Sequence, residues 1–418
     1  MKSAVYIVNG ARTPYLKAGT DFKDVSAADL GRAAATEAMA RSGVTPDAVD
    51  QAIFGNIATP VDAANIARII SLRAGVPKER PAHSVSRNCA SGIESVVQGT
   101  RLIQTGEASV VLAGGVECMS QIPFLYREPV KAALTEAAMA KSAGARIKAF
   151  SKLPWAQLLN PVIGLKEGLT DPVCGLNMGE TAELLAKEGK ISREAQDRFA
   201  LGSHLKAAAS RGKLGEEIVP VPIPPAYERV ASADNGIREN QTMEALARLR
   251  PFFDRKFGTV TPGNSSQITD GGAAVVLASE EAVKAGGLKP IGRVVSWGFA
   301  GLEPERMGLG PSRSTPVALK AGGLSWKQIG LVEMNEAFAA QVLANLQAFE
   351  KDPALGPLPE EILNVNGGAI ALGHPVGSSG TRLILTLLYE MRRRKVLYGL
   401  ATLCIGGGQG ASIVVEAV

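Results

Sequence analysis

Three short segments, far apart in the chain, carry residues that together could form one active site. Cys89 lies in Ser86-Arg87-Asn88-Cys89-Ala90-Ser91-Gly92. His374 ends the glycine-rich run Gly367-Gly368-Ala369-Ile370-Ala371-Leu372-Gly373 and precedes Pro375. Cys404 opens Cys404-Ile405-Gly406-Gly407-Gly408. A thiol is a strong nucleophile only as thiolate, so Cys89 needs a base or a positive field. The small residues around it suit a sharp turn into a helix. The positive end of that helix is expected to lower the thiol pKa, and neighbouring backbone N–H groups could hold an oxyanion. A neutral imidazole at His374 could take the Cys89 proton and later donate to a developing enolate oxygen. A second thiol at Cys404, at a strand end beside open backbone, is placed to carry protons. The plain alternatives are two packing cysteines and a loop histidine. The chain has four cysteines and three histidines, and finding three of these seven residues in such frames favours chemistry.

The other candidates are less distinctive. His83 has no such frame, and His204 sits in a helical stretch, Ala200 to Ser210, which gives it a structural role. Cys118 follows a Gly-Gly turn but lacks following glycines, and Cys174 has no frame at all. Asn335, in Asn335-Glu336-Ala337-Phe338, reads from its own surroundings as a helix N-cap. Gly258 to Ser266 is a turn-rich stretch before a buried strand, Ala273 to Ala278. It could contact a ligand or serve only as a loop.

The elements that must position these residues occur twice. Ala38 to Val49 resembles Ala318 to Ile329. In each, a helix ends near a glycine (Gly43, Gly323). Thr45 or Ser325 then N-caps a short second helix, and a strand follows (Ala52 to Gly55, Leu331 to Met334). A second echo lies downstream in the same order. Cys89 to Gly92 opens a helix and Val110 to Gly115 follows. Ser378-Ser379-Gly380 opens a helix and Leu400 to Gly407 follows. Apolar runs bounded by glycines suit buried central strands. Two βα-rich halves imply layered sheets and helices. The stretch from Phe124 to Arg250 breaks the pattern and reads as an inserted, helix-rich domain. Its early part is basic (Lys131, Lys141, Arg146, Lys148, Lys152). That face could meet the phosphates of an anionic ligand, a partner subunit or a membrane surface, or simply be solvated.

With 418 residues the chain exceeds one simple core, on a scale of about 100–200 residues per domain. A net charge of +5 is small for this length and does not predict nucleic-acid binding, and 5% aromatic content argues against a base-stacking platform. The small positive balance is compatible with an anionic small molecule. No CxxC pair suggests zinc, and four cysteines are too few for a disulfide framework. No run approaches the roughly 18 apolar residues of a membrane span. Met1 to Val8 leads directly into a strand without a secretory leader, so the expected compartment is the cytoplasm.

Together these motifs resemble the thiolase family, and the similarity runs from Val5 to Val415, with Ala11-Arg12-Thr13-Pro14 as a further match. The resemblance implies an α/β thiolase fold: two similar αβαβα-layered halves with an inserted helix-rich loop domain. The halves would be residues 1–123 with 251–286, and 287–418, and the insertion 124–250. It implies an acyl-cysteine on Cys89, activation by His374 and proton transfer by Cys404. One oxyanion hole would come from His374 and a water held by Asn335, and the other from the N–H groups of Cys89 and Gly406. Ser266 would touch CoA, and Met178, Met307 and Phe338 would line an acyl pocket. CoA and acyl-CoA would be substrates, with no metal or bound cofactor. Homodimers or homotetramers are expected. Leu249 to Thr261, Tyr126 to Pro161 and Ala339 to Asn345 resemble the long-chain subunit of the fatty-acid oxidation complex, implying a hydratase–dehydrogenase partner. Asn335 departs from that subtype, which usually has histidine there. This keeps a short-chain acetoacetyl-CoA thiolase as the alternative, beside a non-catalytic lipid carrier or assembly subunit.

Overall fold

The computed structural model describes residues 3–418. The first half runs β1 (Val5–Arg12), α1 (Ala27–Ser42), β2 (Gln51–Gly55), α2 (Ile66–Arg73), β3 (Ala82–Val85), α3 (Ser91–Thr105) and β4 (Val110–Cys118). After a long excursion containing α4 (Met178–Glu188) and α5 (Arg193–Ala209), it closes with β5 (Thr269–Ser279). The second half runs β6 (Gly292–Gly301), α6 (Gly310–Gly322), β7 (Ile329–Met334), α7 (Ala339–Lys351), α8 (Val376–Arg394), β8 (Tyr398–Ile405) and β9 (Gln409–Ala417).

The strands order as β3-β2-β4-β5-β1-β6-β9-β8-β7. In the first half β2 is parallel to β3 and β4, while β5 and β1 are antiparallel additions. The second half repeats this outward from β6: β9 and β8 are antiparallel additions and β7 is parallel to β8. A parallel bridge from Val332 to Leu363 stands where the first half has β3. The halves join along β1 and β6 through three residue pairs, Val5 with Val294, Tyr6 with Arg293 and Ile7 with Gly292.

Alternation along the strands sends successive side chains into different layers. Leu112 and Val276 face α1 and α2, whereas Val111, Ala113 and Leu277 face a central layer with Ile93 and Val97 of α3 and Leu383 and Leu387 of α8. Val332, Leu400 and Val414 of the second half face α6 and α7. The order is helix, sheet, helix, sheet, helix, as the family resemblance implies. Helices α1 and α6 both end on a left-handed glycine, Gly43 (φ 65°) and Gly323 (φ 64°). The short helix after each differs from expectation on one side. Ser325 forms a capping box with Gln328, but the Thr45 side chain makes no capping bond, and the turn there starts on Pro46.

The excursion is helix-rich. Helices Glu128–Met139 and Ala143–Ser151 pack on each other, and Phe124–Leu125 pairs with Val162–Ile163. Met139, Ile147, Trp155 and Leu159 are exposed there. The end of the excursion is fastened to β1 by Arg12. Its buried guanidinium pairs with Glu217 at 2.7 Å and forks onto both oxygens of Asp234 at 2.7 and 2.9 Å. Among the described residues no helix is long and apolar enough to cross a membrane.

Candidate active site

Cys89 sits between β3 and α3. The residue before it, Asn88, adopts φ 43°, a left-handed conformation that turns the chain sharply. Ser91 pins this turn: its Oγ accepts from Arg87 N–H at 2.8 Å and donates to the Asn88 carbonyl at 2.7 Å. Asn88 Nδ2 donates to the Gly406 carbonyl at 2.8 Å, which ties the Cys89 turn to the glycine turn after β8. The backbone N–H groups of Gly406 and Cys89 are directed at the Cys89 sulfur and favour its anion. Burial outweighs them and pushes the thiol up. The expectation of a thiol lowered by the helix end is therefore corrected, because desolvation is the larger effect. Cys89 depends on a base.

His374 supplies one. Gly373, at φ 106°, turns the chain so that the buried imidazole lies ahead of α8. Its Nδ1 is 2.6 Å from Ser379 Oγ, whose own proton is directed to the Pro375 carbonyl at 3.1 Å. Nδ1 therefore carries the hydrogen and Nε2 presents a lone pair. Burial, with the Arg382 charge adding to it, lowers the His374 pKa to about 4, so the resting imidazole is neutral.

Asn335 is not a helix N-cap. The next helix, α7, starts four residues later and is flanked by Phe338, while Asn335 ends the run from β7 with its N–H on the Thr402 carbonyl at 2.9 Å. Its Nδ2 lies 3.4 Å from His374 Nε2, and its buried Oδ1 has no hydrogen-bond partner, as suits an amide that holds a water. Cys404 is the penultimate residue of β8 and buried. Burial and the neighbouring Cys89 both push its thiol up, so it rests protonated.

Cys89, His374 and Cys404 line one cavity of about 890 Å³ together with Ser266, Met178, Met307 and Phe338. Met178 starts α4, whose Asn177–Glu180 capping box fixes it there. The turn-rich stretch before β5 reaches the same cavity, since Ser266 N–H bonds the Ala337 carbonyl at 2.9 Å. Asn335 lies behind His374, and Gly406 adjoins the Cys89 sulfur. The reading of isolated residues missed several apolar wall residues: Leu165, Leu169, Phe252 and Phe253. Phe253 stands edge-on to Phe338, with ring centroids 6.1 Å apart. An adjacent aromatic pair in a chain with so few aromatics was the available signal. His83, His204, Cys118 and Cys174 do not line the cavity. His204 is buried in α5 and accepts the Arg238 N–H at 3.2 Å.

Comparison with known proteins agrees with this fold. The family described as "Thiolase, N-terminal domain" matches residues 5–281, and "Thiolase, C-terminal domain" matches residues 288–417. The chain belongs to the thiolase family. It is 40% identical to a 3-ketoacyl-CoA thiolase of Photorhabdus laumondii over 99% of this chain and 96% of that protein. It is 41% identical to one of Enterobacter sp. strain 638 over 99% and 97%. Human mitochondrial 3-ketoacyl-CoA thiolase, solved in complex with CoA, superposes with a TM-score of 0.88 at 39% identity, covering 100% of this chain and 98% of that one. A Bacillus anthracis acetyl-CoA acetyltransferase superposes with 0.89 at 36% identity, covering 100% and 99%.

Proposed function

We propose that the chain is an acetyl-CoA C-acyltransferase that cleaves a 3-ketoacyl-CoA with CoA. The observation that carries this reading is the pair of thiols, Cys89 and Cys404, on one apolar cavity with a neutral imidazole. A hydrolase or a lipid carrier has no need of the second thiol.

His374 Nε2 takes the Cys89 proton, and the thiolate attacks the 3-keto carbon. The oxyanion is met by His374 or by the N–H groups of Cys89 and Gly406. The Cα–Cβ bond breaks, an acyl–Cys89 thioester remains, and acetyl-CoA leaves as its enolate. Cys404 protonates that enolate, and the water on Asn335 and His374 stabilises its oxygen. The Cys404 thiolate then takes the thiol proton of incoming CoA, which attacks the thioester. Cys89 leaves as thiolate and recovers its proton from His374. Ser266 contacts CoA, and Met178, Met307 and Phe338 hold the acyl chain.

The apolar walls favour a long acyl chain and a role in fatty-acid β-oxidation. On this reading the protein acts as a cytoplasmic homodimer or homotetramer, beside a hydratase–dehydrogenase partner. Asn335, with the general acetyltransferase form of the His374 and Cys404 frames, favours the second reading, an acetoacetyl-CoA thiolase. The test is CoA-dependent thiolysis of acetoacetyl-CoA against a long-chain 3-ketoacyl-CoA, with Cys89→Ala as blank. Higher kcat/KM on the long substrate supports the first reading. Activity confined to acetoacetyl-CoA selects the second, and binding without turnover leaves a carrier.

A further inference from the structure

Glu117, the penultimate residue of β4, is buried beneath the site, and none of the catalytic steps above uses it. Its Oε1 accepts from Asn56 Nδ2 and from Ala58 N–H, both at 2.9 Å. Its Oε2 accepts from Ile57 N–H at 3.2 Å and from Gly377 N–H at 3.0 Å. All four contacts are donors, which suits an acceptor-only carboxylate and leaves no place for a carboxyl proton. Burial is the larger effect, so the group is pushed up to about 7 even with these N–H donors pulling it down.

Gly377 is the second residue of α8, three residues after His374. Helix α8 has no side-chain cap of its own, because Pro375 stands at that position. An orphan N–H of its first turn is instead satisfied from the other half of the molecule. The backbones press together at the same place, since a Cβ built on Gly115 would lie 1.9 Å from the Gly377 carbonyl oxygen. Glu117 also places a negative charge near Cys89 and opposes its thiolate.

We infer that Glu117 is a positioning residue, a carboxylate side chain of the first half that caps the helix carrying His374 and so sets the base against Cys89. The inference rests on the thiolase reading above. Its second consequence is electrostatic: Cys89 is held as thiol until His374 takes the proton. The titratable groups around Cys89 are Cys404 from β8, His374 from the loop before α8 and Glu117 from β4. Lys166 and Glu180 lie farther along the cavity wall. The groups facing Glu117 itself are amides.

The test compares Glu117→Gln and Glu117→Asp in the full chain by thiolysis kinetics and by the pH dependence of Cys89 alkylation with iodoacetamide, read by mass spectrometry. Glutamine aims an amide N–H₂ at existing donors and removes the charge. Its kcat should fall roughly 10- to 100-fold with KM changed less than about threefold. Its alkylation midpoint should move down by about half a pH unit or more. Aspartate keeps the charge but falls short of Gly377, so kcat should drop at an unmoved midpoint. An unmoved midpoint in Glu117→Gln, or an equal shift in both variants, overturns the inference. Should Glu117→Gln not fold, Glu117→Asp decides alone: lowered kcat at an unmoved midpoint supports the inference, and wild-type kcat or a moved midpoint overturns it. Thiolysis surviving in Cys89→Ala would sink the thiolase reading instead. Alkylation needs no turnover, so the two failures are distinguishable.

Discussion

The two halves use the same parts for different ends. Each has a buried helix in the central layer, α3 or α8, and a reactive residue just ahead of it, Cys89 or His374. Each follows that helix with a buried strand, β4 or β8. The ends of these strands serve the opposite half. Cys404 and Gly406, after α8, meet Cys89, and Glu117, after α3, meets the start of α8. Two equivalent helix starts thus face one space, one preceded by a nucleophile and the other by a base. Neither half holds a working site, because each reactive group is completed by the opposite half.

Substitutions can break this crossed arrangement to different degrees. Cys89→Ala removes the nucleophile and should cut kcat about 10⁴-fold or more while the melting curve stays close to wild type. Cys404→Ala removes the shuttle from the other half and should cost roughly 10²- to 10⁴-fold. Acyl–Cys89 should then be trapped and visible in the intact mass when a 3-ketoacyl-CoA is supplied. Asn335→Ala withdraws the water site behind His374 and should lower kcat about 10²-fold with KM little changed, as steady-state kinetics will show. Gly115→Ala drives a methyl group into the Gly377 carbonyl and should destabilise the fold by about 1–3 kcal/mol in chemical denaturation.

The last effect, of similar size, concerns a histidine outside the crossing. Burial lowers His204 to about 4, with the charges of Arg238 and Lys17 adding to it. An unfolded histidine titrates near about 6.5, so the unfolded chain binds more protons between these values. The contribution of His204 is complete above pH 6.5 and is lost as pH falls toward 4. His204→Gln should remove roughly 2 kcal/mol of the stability loss between pH 7 and pH 5, measured by denaturant titration. An unchanged pH slope would contradict the burial argument.

Much of this site was legible in the sequence, because glycine frames mark where backbone must bend or be approached closely. Cys89, His374 and Cys404 carried such frames, and the repeat around Gly43 and Gly323 announced the layered halves. Asn335 reads from its own surroundings as a helix start; the family resemblance alone pointed to a water site there, and the distant His374 supplies the physical reason. Glu117 was invisible for the same reason: its partners lie 59 to 61 and 260 residues away. The direction of the Cys89 shift also escaped local reasoning. A helix end can be read from neighbours, but the depth of burial that overrides it comes from the whole fold.

The seam between the halves has a consequence for synthesis. β1 occupies the middle of the sheet, yet its neighbours β5 and β6 begin at Thr269 and Gly292. On the ribosome this strand waits with both edges open while most of the chain emerges. Such long-range pairing is slow and leaves sticky edges in the interval. Val5–Arg12 therefore gains its two neighbours only after residues 269–301 have emerged.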